Sequence, residues 1–193
     1  MKLTHIHPAM TLPNMLSGVR FITAPIMLYL AWNGYGLAFM AVLALAFLTD
    51  ILDGLAARLT GQVTPFGARL DTWADLATYL TIGFGTWWLW SDIVHREDIY
   101  LYIIIACYLI PASYGLIKFG TYTSYHTWGV KISAVAIGIS LYPLFLIDFA
   151  WPLRISVFIY LLAAIEEVAI TAILDQLQSN VRTLWHVLQQ RKQ

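Results

Sequence analysis

The stretch Leu37-Ala-Phe-Met-Ala-Val-Leu-Ala-Leu-Ala-Phe-Leu-Thr49-Asp50-Ile-Leu-Asp53-Gly54-Leu-Ala-Ala57-Arg58 decides the fold. From Leu37 to Thr49 it carries no charge, and then two aspartates arrive three residues apart. A helix needs about 20 mostly apolar residues to cross the hydrocarbon of a bilayer. The run does not alternate in polarity, as the roughly ten-residue strands of a membrane barrel would. Asp50 and Asp53, at i and i+3, share one helix face near the end of the run. This stretch therefore reads as a membrane helix that carries carboxylates to one edge of the bilayer.

Five more runs of the same kind flank it. The six predicted spans are Met15–Trp32, Leu37–Arg58, Gly67–Trp90, Ile99–Ile117, Gly129–Phe149 and Pro152–Leu174. Lipid offers no partner for open backbone groups, so each is expected to be helical. Asn33-Gly34-Tyr35-Gly36 marks a tight turn between the first two spans, and Gly61 to Pro65 separates the second from the third. Pro111 and Pro143 fall inside the fourth and fifth and are expected to kink them. Trp32, Trp87, Trp88, Trp90, Trp151 and Tyr100 gather at run ends on one side, as an aromatic belt does.

Composition agrees. Of 193 residues 60% are hydrophobic and 11% charged, against roughly 25% charged in a soluble domain, so lipid surrounds much of the chain. The net charge of zero excludes a bulk basic field for nucleic acid. A single cysteine, Cys107, excludes an intramolecular disulfide and sits in an apolar run as a packed thiol. The fold class is all-α: a bundle of six transmembrane helices in one domain, 1–193. It divides into a juxtamembrane segment 1–13, a bundle 14–175 and a tail 176–193. In the tail Leu177, Val181, Leu184, Trp185 and Leu188 recur at helical spacing, which suits an amphipathic helix on the membrane surface.

With six spans the termini share a side. That side collects Lys2, Arg20, Arg58, Arg69, Lys118, Lys131, Arg182, Arg191 and Lys192; the other holds Arg96 and Arg154. Nine against two places both termini in the cytoplasm by the positive-inside rule.

On that same side stand Asp50, Asp53, Asp71 and Asp75. The last two are at i and i+4, so all four can converge where the second and third spans meet. Acidic residues near hydrocarbon are costly and mark function. The nearby Arg58 and Arg69 cannot neutralise four carboxylates. An all-oxygen set calls for hard cations such as magnesium, manganese or calcium. Two ions could clamp both oxygens of an in-line phosphoryl displacement. Gly54, Ala57 and Gly67 are small beside the acids, which suits either close ligand approach or close helix packing. Arg58 is a natural partner for a diphosphate oxygen. Asn14 and Ser17 open the first span on the same face, with Asn14 a candidate cap.

Asp50-Ile-Leu-Asp53-Gly54-Leu-Ala-Ala57-Arg58, then eight residues, Gly67, three residues, Asp71, three residues and Asp75 resembles the signature of the CDP-alcohol phosphatidyltransferase family. Pro13-Asn14-Met15-Leu16-Ser17, with Arg20, is similar to the start of that family's first helix. The resemblance implies transfer of a phosphatidyl group from CDP-diacylglycerol to a small alcohol, with release of CMP, in a membrane enzyme of phospholipid synthesis. It implies two divalent ions, Mg2+ or Mn2+, one on Asp50, Asp53 and Asp71 and the other on Asp50, Asp71 and Asp75. Asp75 would be the base. Gly54, Arg58, Thr64 and Pro13 to Leu16 would contact the CDP-lipid. A homodimer in a bacterial inner membrane is implied too.

For the acceptor, Lys131 opens the fifth span, where relatives that take phosphorylated acceptors keep a basic residue. This favours glycerol 3-phosphate over serine, an inositol phosphate or another alcohol. Leu76 directly follows Asp75, and the fourth span has no arginine; relatives acting on glycerol phosphate are often basic at both places. Glu166 and Glu167 lie in the sixth span, with one of them expected to face the bundle interior. His95, Glu97 and Asp98 read as an exposed external loop. A cation transporter is the competing class, but it needs carboxylates near the membrane midplane, and these gather at one end. A scaffold without chemistry leaves the acids without a cause.

Overall fold

The computed structural model describes residues 11–61, 64–120 and 127–174, together with Thr183 and Trp185. Every regular element among them is a helix: α1 (Leu12–Trp32), α2 (Gly36–Thr60), α3 (Pro65–Leu89), α4 (Ser91–Arg96), α5 (Asp98–Phe119), α6 (Trp128–Ile147) and α7 (Trp151–Ile173). The six long helices coincide with the six predicted spans to within three residues at each end. Five of them, α1, α2, α5, α6 and α7, are long and apolar enough to cross a membrane. The exception, α3, is as long as α2 but less apolar, since Arg69, Asp71 and Asp75 occupy its first half. α5 and α6 run unbroken through Pro111 and Pro143, as α1 does through Pro25. The tail helix, most of segment 1–13 and the loop from Tyr122 to His126 lie outside the described residues.

Two compact units make up the chain, Met1–Val94 and His95–Gln193. In the first, α1 packs on both α2 and α3, while α2 and α3 touch each other little. Its core holds Met27, Phe39, Met40, Leu43 and Ala46. Gly85 of α3 lies under the Phe39 ring, where a Cβ would come within 2.3 Å of a ring carbon; small residues allow such close approach in membranes. Gly36, at the start of α2, is pressed against Trp90 in the same way. Buried hydroxyls are satisfied on their own helices, as with Thr49 on the Ala46 carbonyl (2.8 Å) and Thr78 on that of Ala74 (2.9 Å). Large apolar side chains point outward instead, Leu37 and Leu59 each 76% exposed, which suits contact with lipid.

The helix ends follow from local chemistry. Thr11 caps α1, its Oγ1 accepting the Asn14 N–H at 3.4 Å. Asn14 is therefore not the cap that the sequence suggests. The helix begins a turn earlier, because Thr11 and Pro13 supply the cap and the first-turn proline. α2 ends at Gly61, whose φ of +66° is the left-handed conformation that closes a helix. Thr64 then caps α3, accepting the Gly67 N–H at 3.0 Å.

In the second unit α7 packs on α5 and α6. Lys118, in the last turn of α5, donates to the Thr171 and Ala172 carbonyls at the close of α7, both at 2.9 Å. Such bonds satisfy carbonyls that a helix end leaves open. The segment around Glu97 is not the exposed loop expected from its charges. Residues 91–96 form α4, and Glu97 is 4% exposed. Its carboxylate accepts from Arg154 Nη2 (2.9 Å) and Nε (3.0 Å) and from Arg96 Nε (3.1 Å). Arg96 also forks onto Asp148, and Arg154 lies over the Tyr100 and Trp151 rings. A buried acid between two arginines is held ionised.

The hydrogen bonds from Arg154, with those from Arg96, hold the Glu97 carboxyl below its usual 4.5. A depressed folded pKa means that the stabilisation is complete above the unfolded value and fades as pH falls through the folded one. Glu97→Gln should therefore lower the melting temperature at pH 7 and flatten its fall between pH 4.5 and more acid conditions. Thermal unfolding in detergent across that range checks this; an unchanged acid limb would count against it.

Candidate active site

Four carboxylates meet inside the first unit. Asp50 and Asp53 come from α2, Asp71 and Asp75 from α3, each six to ten residues from the nearer helix end. At 1.5 Å per residue this is about 9–15 Å of helix. The structure thus brings all four sequence-predicted acids together.

At their centre is a residue that charge counting near the motif passes over. Arg20 of α1 is 1% exposed. Its Nη1 donates to Asp50 Oδ1 (2.6 Å) and to Asp75 Oδ1; its Nη2 donates to Asp53 Oδ2 and Asp71 Oδ1, both at 2.5 Å. Arg20 Nε is buried with no partner. One turn earlier on α1, Ser17 donates to Asp53 Oδ2 at 2.8 Å. The nearer arginines take no part in these bonds. Arg69 lies two residues before Asp71, about 200° around α3, and both Arg69 and Arg58 are exposed. A signal for Arg20 was available: Asn14, Ser17 and Arg20 place a polar group one turn apart along an apolar helix.

The acids differ in access. The Asp53 side chain is 7% exposed, against 48% for Asp50, 45% for Asp71 and 37% for Asp75. Asp53 is thus a buried anchor, and the other three open outward.

A hard divalent ion fits this donor set. All ligands are carboxylate oxygens, and four formal negative charges face the single positive charge of Arg20. Asp50, Asp53 and Asp71 each offer an oxygen within 4.8 Å of the others. Oxygens on a common ion at about 2.1 Å lie at most about 4.2 Å apart, so the oxygens need a contraction of roughly half an ångström, with the Arg20 guanidinium, bonded to all three acids, moved from between them.

The other sequence-predicted residues fall into two sets. Pro13, Asn14 and Ser17 are buried on α1; Leu16 is half-buried and Met15 is 65% exposed. Thr64 is engaged as the α3 cap. Gly67 lies against Asn14, where a Cβ would come within 2.6 Å of Asn14 Oδ1. Gly54 is open: an added Cβ meets only Arg58 Nη2, at 3.8 Å. Ala57 beside it is half-buried. Lys131 belongs to the second unit, exposed, with its ammonium 5.7 Å from the Trp128 ring centre. Glu166 and Glu167 are both half-buried on α7, Glu166 beside Gly129 of α6.

The two glycines make a paired prediction. Gly67→Ala should force the buried Asn14 side chain aside and cost about 1–3 kcal/mol of stability, read as a lower melting temperature. Gly54→Ala, in the interior of α2 with open space at its Cβ, should not lower the melting temperature and should raise it slightly, so any loss of CDP-lipid affinity there reports a ligand contact.

A family pattern described as CDP-alcohol phosphatidyltransferase matches residues 10–174, a range that contains all seven helices and the four aspartates. The chain belongs to the CDP-alcohol phosphatidyltransferase family. It is 31% identical over 178 residues, 84% of its length and 78% of the relative's, to a Mycobacterium tuberculosis protein named as a probable phosphatidylglycerophosphate synthase. Over 69 residues, 34% of its length and 35% of the relative's, it is 44% identical to a CDP-diacylglycerol--glycerol-3-phosphate 3-phosphatidyltransferase of Pseudomonas fluorescens. Over 67 residues, 34% of its length and 21% of the relative's, it is 42% identical to a probable cardiolipin synthase (CMP-forming) of Drosophila melanogaster. No solved structure matches it. As a CDP-alcohol phosphatidyltransferase it is a membrane enzyme of phospholipid biosynthesis, and its aspartate cluster is one that could bind metal.

Proposed function

We propose that this phosphatidyltransferase joins a phosphatidyl group from CDP-diacylglycerol to glycerol 3-phosphate, with Asp50, Asp53, Asp71 and Asp75 holding two divalent ions, Mg2+ or Mn2+. The observation that carries this reading is the convergence of four carboxylates from two helices on one point. Bound there, the ions would draw charge from the diphosphate and from the departing CMP oxygen.

The chain's own groups do the rest. Asp75, part-exposed, takes the proton of the acceptor hydroxyl as that oxygen bonds to the lipid-side phosphorus. The bond from this phosphorus to the CMP oxygen breaks, and CMP leaves. Arg58, exposed beside the open backbone of Gly54 and near Ala57, meets diphosphate oxygens. Pro13, Asn14, Met15, Leu16 and Ser17 on α1, with Thr64 and Gly67, border the donor; Met15 is exposed enough to touch an acyl chain.

Glycerol 3-phosphate is favoured because two of the relatives carry names that denote synthesis of phosphatidylglycerophosphate or transfer to this acceptor. An anionic acceptor also calls for a cation, the role given to Lys131. Serine, an inositol phosphate and another alcohol are the alternatives. The reading includes a single domain over 1–193, a homodimer in a bacterial inner membrane, and a site and both termini facing the cytoplasm. The nine-to-two lysine and arginine bias supports that orientation.

The test is CMP release by the purified protein from CDP-diacylglycerol, with labelled glycerol 3-phosphate, serine or inositol phosphate. Release is expected with glycerol 3-phosphate and is abolished by a strong chelator. Release with serine alone would refute the acceptor. Full turnover in chelator would refute the ions.

A further inference from the structure

We infer that Arg20 is an internal counter-cation that holds the four aspartates together before metal arrives, and that metal loading must displace its guanidinium. This rests on the metal reading above.

The geometry is one donor to one acid. The two Nη atoms carry four N–H groups, and the four bonds go to four different aspartates on two helices. No other cation among the described residues is paired with any of them, so without Arg20 four carboxylates would face each other across α2 and α3. Such a cluster repels itself strongly near a low-dielectric medium. An ion held by Asp50, Asp53 and Asp71 must contend with a guanidinium bonded to all three.

The fit is also incomplete from the arginine's side. Its Nε is buried and unpartnered, which is costly in a dry interior. The resting position therefore satisfies the acids better than it satisfies Arg20. Once ions neutralise the carboxylates, the guanidinium is free to turn its donors elsewhere. Arg20 is thus a positioning residue, and its presence and metal occupancy oppose each other.

Opposed coupling predicts a direction that a packing role does not. Arg20→Gln should bind Mn2+ about tenfold or more tightly than the unmodified protein, the size typical of coupled sites, when both are titrated calorimetrically in detergent. Equal or weaker binding by Arg20→Gln would overturn the inference and leave the metal site standing. Absence of Mn2+ binding by both proteins would overturn the metal reading, and this one with it. Arg20→Gln could lose its fold, so a second measurement uses the unmodified protein. With arginine labelled by 13C and 15N, the guanidinium signal missing from Arg20→Lys should move on saturation with Mg2+. A signal that stays in place would show that the guanidinium is not displaced.

Discussion

Asp75→Asn should lower phosphatidyl transfer by about 10²–10⁴-fold, the range for loss of a general base, and leave the protein folded. The amide matches the carboxylate in shape, and its oxygen can still accept from Arg20, so the link between α1 and α3 survives. What the amide cannot do is take a proton. Asp75 is suited to that task because its side chain is 37% exposed, while Asp53 beside it is 7% exposed. CMP release per folded molecule, with a thermal melt as the control, separates the effects. Near-normal turnover by the folded variant would end the assignment of Asp75 as base.

Asp71→Ala should abolish both activity and metal binding, with a fall in rate of about 10²-fold or more, as for other losses of charge stabilisation at a reacting centre. In the proposed arrangement Asp71 belongs to both ions, so its removal disables the pair. It separates chemistry from folding better than Asp53 does. Asp53 is buried and accepts from both Ser17 and Arg20; truncating it leaves an Arg20 N–H without its acceptor and the Ser17 hydroxyl with only the Pro13 carbonyl, at a cost to stability. Asp71 is 45% exposed and keeps only the Arg20 bond. Calorimetric titration with Mn2+ should show no saturable heat for Asp71→Ala. Retained metal binding at ordinary strength would remove Asp71 from the ligand set.

Much of this was legible in the sequence, and the rest has physical reasons for being hidden. The six long helices could be drawn from apolar run length and from turn residues such as Gly34 and Gly61, because in lipid the backbone has no other way to satisfy itself. The four acids could be placed together because i, i+3 and i, i+4 spacing fixes a face. The partners of Arg20 could not be named, since they lie 30 to 55 positions away; the polar row it forms with Asn14 and Ser17 marks a face of α1 but not which acids meet it. Glu97 was misread for the same reason: its burial depends on Arg154, 57 residues distant. The Asn14 cap failed on a smaller scale, where Thr11 competed for the role and began the helix one turn sooner.

Because α2 and α3 meet mainly through α1, the acid constellation is a three-body assembly whose hub is synthesised first. During biogenesis the opening segment has to wait in the bilayer until two later segments emerge, and only then can one guanidinium grip both. An enzyme in which residues 12–32 are exchanged for a generic leucine-rich anchor should still insert with its usual topology. It would arrive with its acids unclasped, a properly addressed but inert protein.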